Sequence, residues 1–176
     1  MKQVIDTNVL LVANGKHKDI SPDCMAECIR QLKQAQKNIT VLDDRFRIIT
    51  EYCHKTSPNQ PKGTGDIFLK WLLRNMCNSS CVETVAVTDN GEDGFEEFPD
   101  QALQDQFDAP DRKFVAVASA HPDKPNILQA TDCKWLDWWQ RLAELQVQIK
   151  FVCPDDVCRF YMRKFPNKEI PPLPGE

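Results

Sequence analysis

The sequence predicts a single α/β domain with a mostly parallel β-sheet, and three observations carry that reading. Short apolar, strand-like runs alternate with segments of helical period. Strands that follow one another across such helices pair in parallel, because parallel neighbours need crossover connections. The third observation is that four predicted strands stop on aspartate: at Asp6, Asp43-Asp44, Asp89 and Asp132. With 176 residues, 41% hydrophobic and 27% charged, the chain has the size and mix of one globular domain.

Gln3 to Ile5 reads as the first strand, and the apolar run resumes from Val9 to Ala13 beyond Asp6-Thr7-Asn8. Ser21 is a candidate N-cap with Pro22 at the first helical position, opening a helix to about Lys37. Ile39 to Leu42 is a buried strand, and Arg45 to Lys55 carries Ile48, Ile49 and Tyr52 at helical spacing. After a Pro- and Gly-bearing loop from Ser57, Asp66 is expected to cap a helix to about Met76. Val82 to Val87 is the third strand, and the acidic run from Thr88 to Asp100 reads as an exposed loop. Asp108 is a candidate N-cap, Pro110 falls in the first turn, and Phe114 to Ala120 forms the helix body. Ile127-Leu128 begins a strand, Cys133 to Leu145 is a Trp-rich helix, Val147 to Val152 is the last strand, and Pro154 opens a helix to about Lys164. The domain is expected to fill residues 1–165, with a Pro-rich tail over 166–176 that adds no core.

The formal charge of -4 argues against coating nucleic acid by bulk attraction, so any such contact must be local. Of 26 acidic residues 17 are Asp, a residue of caps, turns and metal sites rather than of solvated helical faces. No window approaches the roughly 18 apolar residues of a membrane helix, so neither a signal peptide nor a span is expected. That places the protein in the cytoplasm and leaves its eight cysteines as free thiols.

Asp6 and Asp132 follow strands, and Asp111 lies in the first turn of the helix that packs between them, so three carboxylates can converge on one edge. Glu51 can offer a fourth. Such a cluster stays ionised only with a divalent cation among its members, and oxygen-only ligands point to Mg2+ or Mn2+. A cation so held activates water and screens a phosphodiester during in-line attack. Taken singly, each acid also has an ordinary role open to it as a cap, a dipole partner or solvated surface.

In order along the chain, Val4-Ile5-Asp6-Thr7-Asn8-Val9-Leu10, Ile48 to Tyr52, Asp111-Arg112-Lys113-Phe114-Val115-Ala116-Val117-Ala118, and Thr131-Asp132 with Trp135 resemble the four motifs of PIN-domain nucleases. The resemblance covers roughly residues 3–152. It implies a three-layer fold with a parallel sheet between helices, a Mg2+- or Mn2+-dependent phosphodiesterase site, and RNA as the commonest substrate. Asp6, Asp111 and Asp132 would ligate the principal metal, and Glu51 would help a second metal or orient water. Asn8 and Thr131 would steady carboxylates as hydrogen-bond partners on the substrate side. Asp43 or Asp44 competes with Glu51 for the second acidic position, and Asp137 competes as an accessory metal ligand.

The basic groups Lys16-His17-Lys18, Arg45 with Arg47, Lys55 with Lys62, and Arg112-Lys113 flank the acidic edge and offer material for a phosphate track. Cys24 with Cys28, and Cys77 with Cys81, share helix faces, so zinc clips stand as an alternative to reduced core thiols. His17, His54 and His121 read as surface residues, and the Trp135-Trp138-Trp139 cluster as core packing rather than base stacking. A haloacid-dehalogenase-like phosphatase would need Asp where Asn8 stands. A receiver domain would need an acidic pair at Asp6, and a P-loop is absent from the sequence. The expected function is therefore a Mg2+- or Mn2+-dependent endoribonuclease acting on single-stranded RNA, with single-stranded DNA as the other substrate. Its alternatives are a PIN-fold module that binds RNA or protein without cutting, and a toxin paired with an antitoxin; a homodimer is compatible with each.

Overall fold

The computed structural model describes residues 1–91 and 93–175. One five-stranded, wholly parallel sheet runs in the order β3-β2-β1-β4-β5, from β1 (Lys2–Ile5), β2 (Ile39–Asp43), β3 (Val82–Val85), β4 (Asn126–Gln129) and β5 (Ile149–Phe151). Eight α-helices among the described residues flank it in a three-layer arrangement. They are α1 (Thr7–Ala13), α2 (Pro22–Ala35), α3 (Arg47–Lys55), α4 (Thr64–Arg74), α5 (Gln101–Gln106), α6 (Arg112–Ala120), α7 (Trp139–Glu144) and α8 (Pro154–Lys164). Register sets Val4 beside Ile127, Ile5 beside Leu128 and Asp43 beside Val85.

Side-chain caps decide where several of these helices begin. Asp6 accepts from the Asn8 N–H and turns the apolar run Val9 to Ala13 into α1. Ser21 caps α2 through the Cys24 N–H, with Pro22 at its first position as the sequence implied. Fully buried Asp43 ends β2 and accepts from the N–H groups of Arg47 at 2.8 Å and Ile48 at 2.9 Å, which starts α3 two residues later than expected. Gly63, rather than Asp66, is the N-cap of α4. Asp66 sits three positions in and reaches back to the Gly63 N–H at 3.3 Å. The body of α6, Phe114 to Ala118, is buried across β1, β2 and β4.

Several other expectations need correction. The segment from Thr88 to Asp100 is not all exposed loop: Asp89 and Phe95 form an antiparallel bridge, and Phe95 and Phe98 enter the core, as aromatic side chains can without regular structure around them. Asp100 then caps α5, a six-residue helix beyond the acidic run where no element was expected. The Trp-rich segment divides into a 3-10 turn over Cys133–Asp137 and α7, with Trp135 buried against Phe107. His121 is buried and bonded to Glu83 at 2.9 Å. The tail is not detached, since Trp139 Nε1 donates to the Pro172 carbonyl at 2.9 Å and Leu173 packs on the cluster of Cys133, Leu136 and Tyr161. Two of the eight cysteines are not free thiols: Cys24 and Cys153 form a disulfide, 129 residues apart in sequence. Spacing within α2 pointed to Cys24 with Cys28, whereas the topology brings the start of α8 onto both. No helix among the described residues is long and apolar enough to cross a membrane.

Candidate metal centre

Strand order reverses around β1, because the chain moves outward through β2 and β3 and then returns to the other side of β1 as β4 and β5. A crevice opens at such a switch point, outside the carboxyl ends of the strands. Asp6 leaves β1 there, with its N–H donating to Leu128 of β4 at 2.9 Å. Asp132 leaves the neighbouring β4 three residues beyond Gln129, whose side-chain oxygen accepts from the Asp132 N–H at 3.1 Å.

Carboxylate oxygens of Asp108, Asp111 and Asp132 all lie within 4.8 Å of one another. Asp111 ends a 3-10 turn over Ala109–Asp111, and its Oδ2 accepts from Trp135 Nε1 at 3.2 Å. Lys134 fixes the other two: its ammonium pairs with Asp108, and its backbone N–H donates to Asp132 Oδ1 at 3.1 Å. Asp6 stands beside this triad, 2% exposed, with one oxygen held by the Asn8 N–H at 2.7 Å.

Burial, followed by the charge of Asp111, lifts the Asp6 carboxyl well above the ordinary carboxylate range; the Asn8 N–H opposes the shift, and Asp132 and Glu51 reinforce it. Asp111 is pushed up to about 7, first by burial and then by the charge of Asp132. These carboxyls hold protons toward neutral pH because they are buried beside one another, and the nearby ammonium groups are paired with other acids, Lys134 with Asp108 and Lys113 with Glu51. The all-oxygen donor set of Asp108, Asp111 and Asp132 is compatible with a hard divalent cation.

Of the acids nominated from sequence, Asp111 and Asp132 meet directly, Asp6 adjoins them, and Glu51 is within electrostatic reach of Asp6. Glu51 is already engaged, accepting from Thr7 Oγ1 at 2.5 Å and pairing with the Lys113 ammonium. That ammonium also donates to the Pro110 carbonyl, so Lys113 is a buried internal counter-ion rather than an exposed substrate contact. Arg112 donates to the Phe107 carbonyl at 3.1 Å and lines a separate cleft with Asn90 and Gln101. Asp43 spends its oxygens on capping α3, and Asp44 is exposed. Asp137 is not brought into the triad; it accepts from Tyr161 at 2.5 Å and pairs with Lys168 at 3.3 Å. Asn8 and Thr131 line a cleft of about 420 Å³ beside Asp132, but the Thr131 hydroxyl, expected to steady a carboxylate, is buried with no hydrogen-bond partner among the described residues.

The triad member missed in the sequence is Asp108, read there as an N-cap. It makes no side-chain cap bond. The signal was its spacing of three from Asp111, which sets both carboxylates on one side of a single turn. Comparisons with known proteins add no relative, since no family model, no curated protein and no solved structure matches the chain.

Proposed function

We propose that this protein is a PIN-like, Mg2+- or Mn2+-dependent nuclease that hydrolyses phosphodiester bonds of single-stranded RNA. The observation that carries the reading is the convergence of Asp108, Asp111 and Asp132 within 4.8 Å, beside buried Asp6, at the switch point of a parallel sheet. A divalent cation at these oxygens would supply an activated water and charge screening for in-line attack on phosphorus. The chain's own contribution is to hold the ligands still. Trp135 orients Asp111, Lys134 orients Asp108 and Asp132 together, and the Asn8 N–H fixes Asp6. With Glu51 satisfied by Thr7 and Lys113, the arrangement favours one principal cation over a symmetric pair.

The test is cleavage of an end-labelled single-stranded RNA by purified protein, with single-stranded DNA of the same sequence as the second arm. Cutting is expected only with added Mg2+ or Mn2+, and Asp111→Asn or Asp132→Asn is expected to remove it by orders of magnitude, because amides bind hard cations poorly. Equal cleavage in excess chelator, or full activity in both variants, would refute the proposal.

A further inference from the structure

The cleft beside Asp132 is walled by Asn8, His17, Thr131, Phe160, Arg163 and Lys164, so its far side is the carboxyl-terminal half of α8. None of the basic groups singled out in the sequence as a phosphate track lies in α8. Two of those groups are committed elsewhere: Arg45 and Arg47 pair with Asp89, and Lys113 with Glu51. On α8 the situation differs. Lys164 makes no ion pair among the described residues, and Arg163 has one exposed partner, Asp19 at 3.2 Å, of the kind that contributes little. The Arg163 guanidinium rests 5.1 Å from the centre of the Phe160 ring, against which His17 also packs at 5.5 Å, and this stacking presents the cation at the cleft wall. On the cleft's inner wall Thr131 is 4% exposed, and its hydroxyl has no hydrogen-bond partner among the described residues. A buried hydroxyl without a partner costs free energy unless a ligand or water completes it.

We infer that this cleft is a phosphate subsite for a single-stranded polynucleotide: Arg163 and Lys164 take a backbone phosphate flanking the one at the acidic cluster, and the Thr131 hydroxyl bonds the strand. The assignment rests on the nuclease reading for its substrate class. It explains how a chain of net charge -4 can hold a polyanion next to four carboxylates, since two cations across one cleft offset the local repulsion. Phosphate contacts of this kind position a strand and carry no sequence preference.

The test is fluorescence anisotropy with a labelled single-stranded RNA in EDTA, where nothing is cut. The double variant Arg163→Ala/Lys164→Ala is expected to bind about tenfold more weakly, with the salt slope reduced by roughly 1.4 for two lost contacts on single strands. Lys168→Ala, whose cation pairs with Asp137 outside the cleft, should bind as wild type. Thr131→Val should weaken binding a few-fold while the melting temperature holds, because no hydrogen bond within the protein is removed. Wild-type protein that does not bind the RNA, or a double variant that binds equally well, overturns the subsite. So does competition by inorganic phosphate that is as effective as that by unlabelled RNA, which would show a small-anion site. The two readings fail separately: binding lost in the double variant with no cleavage under any metal sinks the nuclease alone, and metal-dependent cleavage with unchanged binding sinks the subsite alone.

Discussion

Lys113 seats its ammonium on the Glu51 carboxylate, joining the start of α6 to the middle of α3 next to the acidic cluster. Both side chains are largely withdrawn from water, at 10% and 22% exposure, and the Thr7 hydroxyl supplies the other bond to Glu51. Removing one partner of such a pair strands the other charge. Lys113→Met should therefore lower stability by about 1–3 kcal/mol, the cost of an unsatisfied buried polar group. Urea unfolding measures it; an unchanged midpoint would mean that Glu51 relaxes into solvent.

Asp43 and Glu51 competed for one place in the sequence, and their surroundings now separate them. Asp43 holds two N–H groups at the start of α3, so Asp43→Asn should cost about 1 kcal/mol as a damaged cap and leave cleavage near wild type. Glu51→Gln keeps an oxygen for Thr7 but turns its NH2 toward the Lys113 ammonium and removes a charge near Asp6, so it should cost about 1–3 kcal/mol of stability and far more cleavage than Asp43→Asn does. Parallel melts and cleavage rates test this; the reverse order would move the reactive edge to the end of β2.

Gly65 lies where α4 crosses the end of α1. A Cβ there would stand 2.3 Å from the Leu10 carbonyl oxygen and 2.9 Å from Asn14 Oδ1. The first is backbone and cannot swing aside. The second belongs to a reciprocal pair in which Asn14 donates to Asp66 at 2.8 Å and accepts from the Asp66 N–H at 3.1 Å. Gly65→Ala should thus destabilise by about 1–3 kcal/mol, as overpacking does, despite the better helix propensity of alanine. A melting temperature at or above wild type would show that α4 can shift outward.

The strands and long helices were legible because their signals are local: apolar runs, a Ser-Pro start to α2, a proline at the first position of α8. Asp6 and Asp132 were legible as a site because strand ends at a switch point meet whatever the loops do. What escaped depends on chain crossings. Cys153 finds Cys24 only once β5 is placed at one sheet edge, and His121, at the end of α6, finds Glu83 only once β3 is placed at the other. Asp137 resembled an accessory ligand by proximity in sequence to Asp132, yet the 3-10 turn between them carries it toward Tyr161 on α8. Asp108 failed for a different reason: an Asp before Ala-Pro satisfies the N-cap pattern, and the pattern cannot show that the carboxylate turns away from its own helix.

Burial and mutual repulsion of the carboxyls at the cluster give the metal-free protein an unusual pH response. Asp6 and Asp111 bind protons more readily folded than unfolded, Asp111 with its value near 7 against an ordinary 3.8. Their contribution to stability is fully present below the unfolded value and is lost as pH rises through about 7. Metal-free protein should then melt higher at pH 5.5 than at pH 8. Below pH 3.8 the trend should turn over, as pH falls through the depressed values of Asp66 and Asp156: burial would raise both, but hydrogen bonds from Lys62 and Ser57 to Asp66, and from Arg159 and Ser21 to Asp156, hold them below the usual range, and their contribution to stability is lost as they take up protons. Asp111→Asn removes one repelling carboxylate while its Oδ can still accept from Trp135. This variant should melt no lower than wild type at pH 8 without metal and should show a flatter pH profile. Millimolar Mn2+ should raise the wild-type melting temperature most at pH 8, where protons no longer compete for the oxygens, and should raise the variant's less. If these acids serve only as caps and turns, the signs differ: Asp111→Asn falls, and Mn2+ shifts neither protein. Melts of the two proteins at pH 5.5 and 8, with and without Mn2+, decide between them.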